Sequence, residues 1–184
     1  TANTTASYNI AIGDSAMGSN TTGTNNIAIG QDALSANTDT NRNVAIGIEA
    51  MKVSTGSENV ALGYNALKAN TTGNRNVAVG DVALDANTTA TDCTAVGQGA
   101  LGGNTTGIRN TAVGQGAMII NTTGADNVAV GYAALDANTT ASSSVAVGFG
   151  ALSAATTGGF NVAVGYNALD ACTTGTTNNA FGTN

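Results

Sequence analysis

Carboxylates are the residues of this sequence best suited to acid–base chemistry, because the chain has no histidine and eleven Asp and Glu residues. Asp85, Asp136 and Asp170 occupy one position of a repeated pattern, but Ser35 and Lys68 occupy it in other copies. A carboxylate pair for glycosidic-bond cleavage could arise between chains. We interpret these residues as solvated surface charges, and we predict no enzymatic activity and no catalytic, cofactor-binding or metal-binding residues.

Two short motifs match known binding patterns. Residues 97–102 read Gly-Gln-Gly-Ala-Leu-Gly, the glycine spacing of dinucleotide-binding turns, but they open no predicted helix and lack a strand–helix–strand setting. The N-glycosylation pattern Asn-Thr-Thr recurs at one repeat position, and a turn at that position explains it without a sugar. Its asparagines include Asn70, Asn87, Asn104, Asn121 and Asn138.

Four aromatic residues, Tyr64, Tyr132, Phe149 and Tyr166, share a repeat position with polar residues such as Gln31. A position that accepts both kinds of side chain is predicted to meet solvent at a rim. Exposed aromatics can stack on glycans, although scattered surface aromatics are common in soluble proteins. We interpret them as decoration of a shaft and keep glycan binding as an alternative.

The two cysteines are not predicted to pair. Cys93 and Cys172 lie at different repeat positions. About four coils at ~4.8 Å per coil separate them by ~20 Å along the axis, beyond the ~7 Å Cα reach of a disulfide.

The charge and the lengths of the apolar runs argue against two classes of partner, nucleic acids and membranes. The formal charge is −6 with only five Lys and Arg residues, which form no basic stripe for phosphates, so we predict no nucleic-acid partner. Apolar runs are too short to span a membrane, and the first residues carry no charged-then-apolar signal.

Both ends fall inside a repeat, from which we expect a segment of a longer chain.

A single repeat positions all of these residues. One glycine recurs eleven times, spaced by seventeen residues nine times and by sixteen once. Such a period predicts a solenoid, here a single array over residues 1–184 without an internal boundary. The glycines are Gly13, Gly30, Gly47, Gly63, Gly80, Gly97, Gly114, Gly131, Gly148, Gly165 and Gly182.

The residues before each glycine predict a strand. Two β-branched or aliphatic residues flank an alanine, as Val77 and Val79 flank Ala78, and we expect the flanking pair to form a buried face. The alanine is present in all eleven copies, so we expect its opposite face to pack against partner chains. A second short strand is predicted at the uniform Ala-Leu pair, for example Ala66 and Leu67, which would make each coil apolar on two surfaces.

The polar positions predict turns and a ladder. The strand-ending glycine is expected to adopt a positive φ or to approach a neighbour closely. The Asn-Thr-Thr-Gly segment is predicted to be a second turn with a positive-φ glycine, and the sixteen-residue copy loses its residue there, at 53–56. Asparagine precedes the strand in nine of eleven copies, which favours hydrogen-bonded amides along the stack.

The motif Asn-[Val/Ile]-Ala-[Val/Ile/Leu]-Gly, followed by small residues and a polar turn, resembles the head repeats of YadA-like trimeric autotransporter adhesins. The longer form Gly-Tyr-Asn-Ala-Leu-Lys-Ala-Asn-Thr-Thr-Gly at 63–73 is similar to repeat regions of phage-type tail fibres and bacterial surface fibre proteins. The resemblance covers all 184 residues. It implies a parallel β-roll in a homotrimer, outside the cell on a virion tail fibre or bacterial surface.

The fold expectation is therefore an all-β parallel solenoid of about eleven 17-residue coils, associated as a trimer through the uniform alanines. The expected function is the structural shaft of a fibre that projects a receptor-binding tip for host or surface attachment. One alternative is an ice-binding solenoid, suggested by the paired threonines from Thr71 and Thr72 onward, although adjacent threonines of an extended chain face opposite ways. Another is a glycan-binding fibre segment.

Overall fold

The computed structural model describes residues 5–183, in which eleven three-residue strands form one parallel sheet. Each strand pairs with the next strand in sequence, one coil further on, which confirms the predicted parallel β-solenoid. The strands are β1 (Ile10–Ile12), β2 (Ile27–Ile29), β3 (Val44–Ile46), β4 (Val60–Leu62), β5 (Val77–Val79), β6 (Thr94–Val96), β7 (Thr111–Val113), β8 (Val128–Val130), β9 (Val145–Val147), β10 (Val162–Val164) and β11 (Asn179–Phe181).

The sixteen-residue copy keeps the register of the sheet. Val44 of β3 pairs with Val60 of β4, and Ala45 pairs with Ala61, as in every other coil. The missing residue is therefore absorbed outside the strands, as predicted, because a slip within a strand would turn its side chains to the wrong face.

The central alanine of each strand points into the coil, which reverses the predicted orientation. Ala78 and Ala129 have 0% exposure within the single chain, whereas the flanking Val77 and Val79 are only partly buried. The prediction that this alanine column faces a partner chain is therefore wrong. The residues that face outward are the β-branched pair.

The Ala-Leu pair forms a turn, and the predicted second strand is absent from the described residues. Val82 and Leu84 are left-handed, with φ of 50° and 51°, so the chain curls here. Both Ala83 and Leu84 consequently point inward, and each has 0% exposure. Adjacent residues face opposite sides only in an extended chain, and for this reason the predicted second apolar surface does not exist.

The strand-ending glycine meets both predicted requirements. Gly80 has a φ of 134°, and a Cβ on it would lie 2.6 Å from the carbonyl group of Gly97 in the next coil. Only glycine readily adopts this conformation. The column of these glycines therefore sets how closely successive coils approach.

The glycine after Asn-Thr-Thr has a different role from the predicted one. It does not have a positive φ; the left-handed residue of this region is the one before the strand-leading asparagine, such as Arg75 or Arg109. Gly107 is instead confined by space, because an added Cβ would lie 2.6 Å from Oδ1 of Asn104.

Two asparagine columns make the interior partly polar. The asparagine before each strand accepts a hydrogen bond from the backbone of the next coil: Asn26 Oδ1 from the Asn43 N–H at 2.9 Å. The asparagine of Asn-Thr-Thr bonds amide to amide, with Asn138 Nδ2 donating to Asn121 Oδ1 at 2.8 Å. The predicted bonding between side-chain amides occurs in the first column at Asn127–Asn110 and Asn178–Asn161, and elsewhere in that column the bonds to the amide oxygen come from the backbone. The second column carries an amide ladder that was not predicted.

Replacing Gly80 with alanine tests the coil-to-coil constraint. Steric overlap with Gly97 and the unfavourable φ are expected to cost about 3 kcal/mol or more. The midpoint of thermal unfolding, followed by circular dichroism, should fall by about 10 °C. Gly116→Ala is the control, because no atom lies within 4 Å of its added Cβ and Ala133 occupies that repeat position in the next coil. Equal losses in the two variants would contradict the constraint.

Asn121→Ala tests the interior amide ladder. Asn121 donates to Asn104 Oδ1 at 2.7 Å and to the Gly124 carbonyl at 3.0 Å, so its loss leaves buried polar groups unpaired. Chemical denaturation should show a loss of about 3 kcal/mol. Thr123→Ala, at an exposed position of the same turn, should change stability by less than about 0.5 kcal/mol. A similar small effect of Asn121→Ala would refute a stabilising ladder.

Candidate binding surfaces

A long apolar surface is formed by the first and third residues of strands β1–β10, which we call the outer apolar face. These residues point away from the core, and only Thr94 and Thr111 among them are not aliphatic. Exposure is 59% at Ile12 in the terminal strand and 45% at Leu62, 37% at Val113 and 36% at Val130 further along, and the other members of β2–β10 are partly buried. A continuous, partly exposed apolar stripe of this kind is unusual in a monomer, and this face is therefore a candidate contact surface.

A charge ladder runs along the residue that precedes each strand-leading asparagine or its substitute. It consists of residues of alternating sign, one in each of six successive coils: Arg42, Glu58, Arg75, Asp92, Arg109 and Asp126. Two pairs are bidentate. Arg75 donates to Asp92 at 2.7 and 3.0 Å, and Arg109 donates to Asp126 at 2.6 and 2.9 Å.

The arginines of the charge ladder change the pKa values of the carboxyl groups that they contact. The hydrogen bond from Arg75 lowers the pKa of Asp92, and the hydrogen bond from Arg109 lowers the pKa of Asp126. Because the side chains are exposed, each pair contributes little stability alone. The ladder cancels the charge of both signs over this part of the surface, so it presents neither a cation nor an anion site.

A second ionic cluster lies on the turn that follows the strands. Lys52 contacts Glu49 at 2.8 Å and Asp32 at 3.2 Å, and Lys68 contacts Glu49 at 2.6 Å. Hydrogen bonds from Lys52 and Lys68 lower the pKa of Glu49 to about 2. This carboxylate is fixed as an anion between two cations and is unsuited to proton transfer near neutral pH.

The aromatic residues meet solvent as predicted. Tyr132, Phe149 and Tyr166 stack in three successive coils, with ring centroids 5.0 and 5.2 Å apart. Tyr64 is four coils away from Tyr132 in the same column and is 51% exposed. Phe149 is covered on both ring faces by its neighbours, so only the ends of the stack offer a free face.

The carboxylates Asp85, Asp136 and Asp170 lie in coils that are not adjacent to one another. Burial raises the pKa of Asp85 and of Asp136. No group of three or more metal-ligating side chains occurs within residues 5–183. The prediction of no catalytic residues remains a prediction.

The two short motifs have structural explanations. Gly97 ends β6 and Gly99 lies in the following turn with a φ of 67°, so no helix N-terminus follows the motif. The asparagines of the glycosylation pattern have 0% exposure, and their amides are closed off from a glycosyl donor in the folded chain. Cys93 and Cys172 are free thiols, and burial raises the pKa of Cys93.

Sequence reasoning missed the charge ladder, although its signal was present. The five basic residues form no stripe of one charge, but Arg42, Arg75 and Arg109 share one repeat position and alternate there with Glu58 and Asp92. Alignment of the copies by column reveals the alternation directly.

Comparison of the chain with protein-family models, curated proteins and solved structures gives no match. Among the described residues there is also no helix with the length and apolar character of a membrane span.

The Glu49 cluster predicts a pH dependence of stability. The pKa of Glu49 falls from an ordinary 4.5 to about 2 on folding, so its contribution is present above pH 4.5 and is lost as the pH drops toward 2. The thermal midpoint should therefore fall over this range, and the slope should be shallower in Glu49→Gln. Asp136 acts in the opposite direction because its pKa is raised. Parallel pH profiles for the two proteins would contradict the role of Glu49.

Proposed function

We propose that the chain is the structural shaft of an extracellular fibre, built from three parallel copies that associate through the outer apolar face. The observation that carries this proposal is the continuity of that face over ten strands without one charged residue. The resemblance to fibre and adhesin repeats supports the number three, the location on a virion or cell surface, and the role of projecting an attachment tip.

A second copy of the same chain fits the outer apolar face best because its spacing matches. The face repeats every coil, at ~4.8 Å, and its ridges are side chains such as Val128 and Val130 of β8. A partner with the same period can place a side chain against every groove between these ridges. A partner of another period would lose register within a few coils.

The outer apolar face supplies more than half of the area that a standard interface buries on each partner. Ten strands at ~4.8 Å and a width of ~10 Å give on the order of 500 Å² per chain. A standard interface buries ~800 Å² per partner, so the flanking columns must contribute as well. The charge ladder lies beside the face in sequence and supplies polar contacts of the kind found at interface rims.

The role of such a shaft is mechanical. Every coil is joined to the next by the strand pairing and by interior amides such as Asn121 and Asn138. Bending or proteolysis must break several of these bonds together. In a trimer, the outer apolar face of each chain would also be covered by the other two chains.

The threonine columns favour a shaft over an ice-binding surface. The first threonine of each pair donates its hydroxyl to the carbonyl of its counterpart in the next coil, as Thr88 Oγ1 does to Thr105 at 3.0 Å. This hydroxyl is therefore engaged in the stack. The remaining exposed threonine, such as Thr89, forms one column where an ice-facing array requires two on the same side.

Sedimentation equilibrium tests the assembly. The expected mass is about three times the 17.8 kDa of one chain. Val113→Glu with Val130→Glu should reduce it to one chain while the circular dichroism spectrum stays unchanged, because both residues are exposed. Thr106→Glu with Thr123→Glu is the control, since Asp39 already places a carboxylate in that exposed column. A dilute wild-type monomer, or a trimer that survives the valine substitutions, would overturn the proposal.

Ala129→Glu should behave differently from the valine variants. Ala129 has 0% exposure within its own chain, so a buried charge is expected to unfold the neighbouring coils. The loss of circular dichroism signal distinguishes this effect from a loss of assembly.

A further inference from the structure

A shallow groove of about 200 Å³ lies on the turn side of coils six to eight. Its lining combines an aromatic ring, amides and a carboxylate, which are Tyr132, Gln98, Gln115 and Asp136. Its volume is below the ~300 Å³ at which sites for drug-sized ligands begin, so it suits one small ring rather than an extended cofactor.

Small residues at the repeat position directly after the aromatic column create the groove. Gly99, Gly116, Ala133 and Gly150 occupy this position in four consecutive coils, and no atom lies within 4 Å of a Cβ placed on Gly116. The same position holds Glu49 in coil three, where the side chain binds lysines. The groove is therefore local to one stretch of the solenoid.

Tyr132 gives the groove an apolar wall. Phe149 covers one face of this ring at a centroid distance of 5.0 Å. Gln115 is its neighbour on the other side in the column, and Tyr132 is 51% exposed. The ring is held in place by the stack, so the tyrosine side chain loses little conformational entropy when a ligand packs against its exposed part.

The polar groups of the groove are suited to hydroxyl groups. Asp136 contributes a carboxylate to the lining, and a carboxylate accepts hydrogen bonds from hydroxyl groups. Gln115 donates to Gln98 Oε1 at 3.2 Å, and each amide has further donor and acceptor capacity. A ligand hydroxyl can therefore donate to the carboxylate or exchange hydrogen bonds with the glutamine amides.

We propose that this groove is a carbohydrate-binding subsite for a neutral or amino sugar residue of an oligosaccharide. A sugar ring has an apolar C–H face, which fits against Tyr132, and hydroxyls around its edge, which fit Asp136 and the glutamines. Acidic sugars are disfavoured by the Asp136 carboxylate and by the net charge of −6. The site lies within one chain and does not depend on the assembly proposed above.

Isothermal titration calorimetry with cellohexaose, maltohexaose and chitohexaose tests the proposal, with an oligogalacturonate as the acidic arm. At least one neutral or amino-sugar hexamer should bind with a Kd on the order of 1 mM or tighter. Tyr132→Gln should weaken that binding at least tenfold. Glutamine already occupies this column at Gln31, Gln98 and Gln115, so the variant is compatible with the fold.

Two further variants complete the test. Tyr64→Gln is the matched control, since Tyr64 shares the column but stands beside Asn65 and Val82 rather than small residues; its Kd should change less than twofold. Gly116→Asn fills the groove with a side chain that Asn65 and Asn167 show to be accepted at this left-handed position, and it should abolish binding. Absence of binding by all three sugars, binding of the oligogalacturonate alone, or equal losses in the two tyrosine variants would overturn the proposal.

Discussion

The close approach of successive coils is the constraint on which the rest of this structure depends. At the end of each strand the backbone of one coil lies so near the next that a Cβ on Gly97 would lie 2.6 Å from the carbonyl carbon of Gly114. Because this spacing is repeated in every coil, the strands stay in register over the whole sheet. Each repeat position then becomes a column of side chains that touch their counterparts, and every surface described above is one such column or a pair of them.

The same spacing explains a core that contains amides as well as aliphatic groups. A slender coil encloses little volume, so its interior holds alanines and one leucine or methionine per turn, such as Ala100 and Leu101. Asparagines fit the remaining positions because each can bond to the coil next to it, as Asn87 does to Asn70 at 2.7 Å. Buried amides that are satisfied only by an in-register neighbour penalise any slipped arrangement more than an apolar core would.

The sequence allowed the solenoid, its period, the parallel strands and the special glycine to be predicted, because these depend on spacing alone. The predicted directions of the side chains were wrong. Residues such as Ser15 and Met17 adopt a left-handed conformation without being glycine, so the rule that neighbouring side chains alternate does not hold beyond the three-residue strand. The uniform alanine was correctly recognised as closely packed, but uniformity does not distinguish a chain's own interior from a partner's surface.

The candidate sites were harder to predict because they depend on neighbours that are seventeen residues apart. The sequence places Tyr132 and Asp136 at recognisable repeat positions. The groove between them, however, exists only because Gly116 and Ala133 are small in adjacent coils. The columns that keep one residue type build the scaffold and cannot distinguish one coil from another. The variable columns differ from coil to coil: lysine and glutamate pairs around coil three, the groove in coils six to eight, and stacked rings in coils eight to ten. Specific recognition by this chain must therefore arise from combinations of residues across consecutive coils, which the rigid spacing of the scaffold holds in fixed relation.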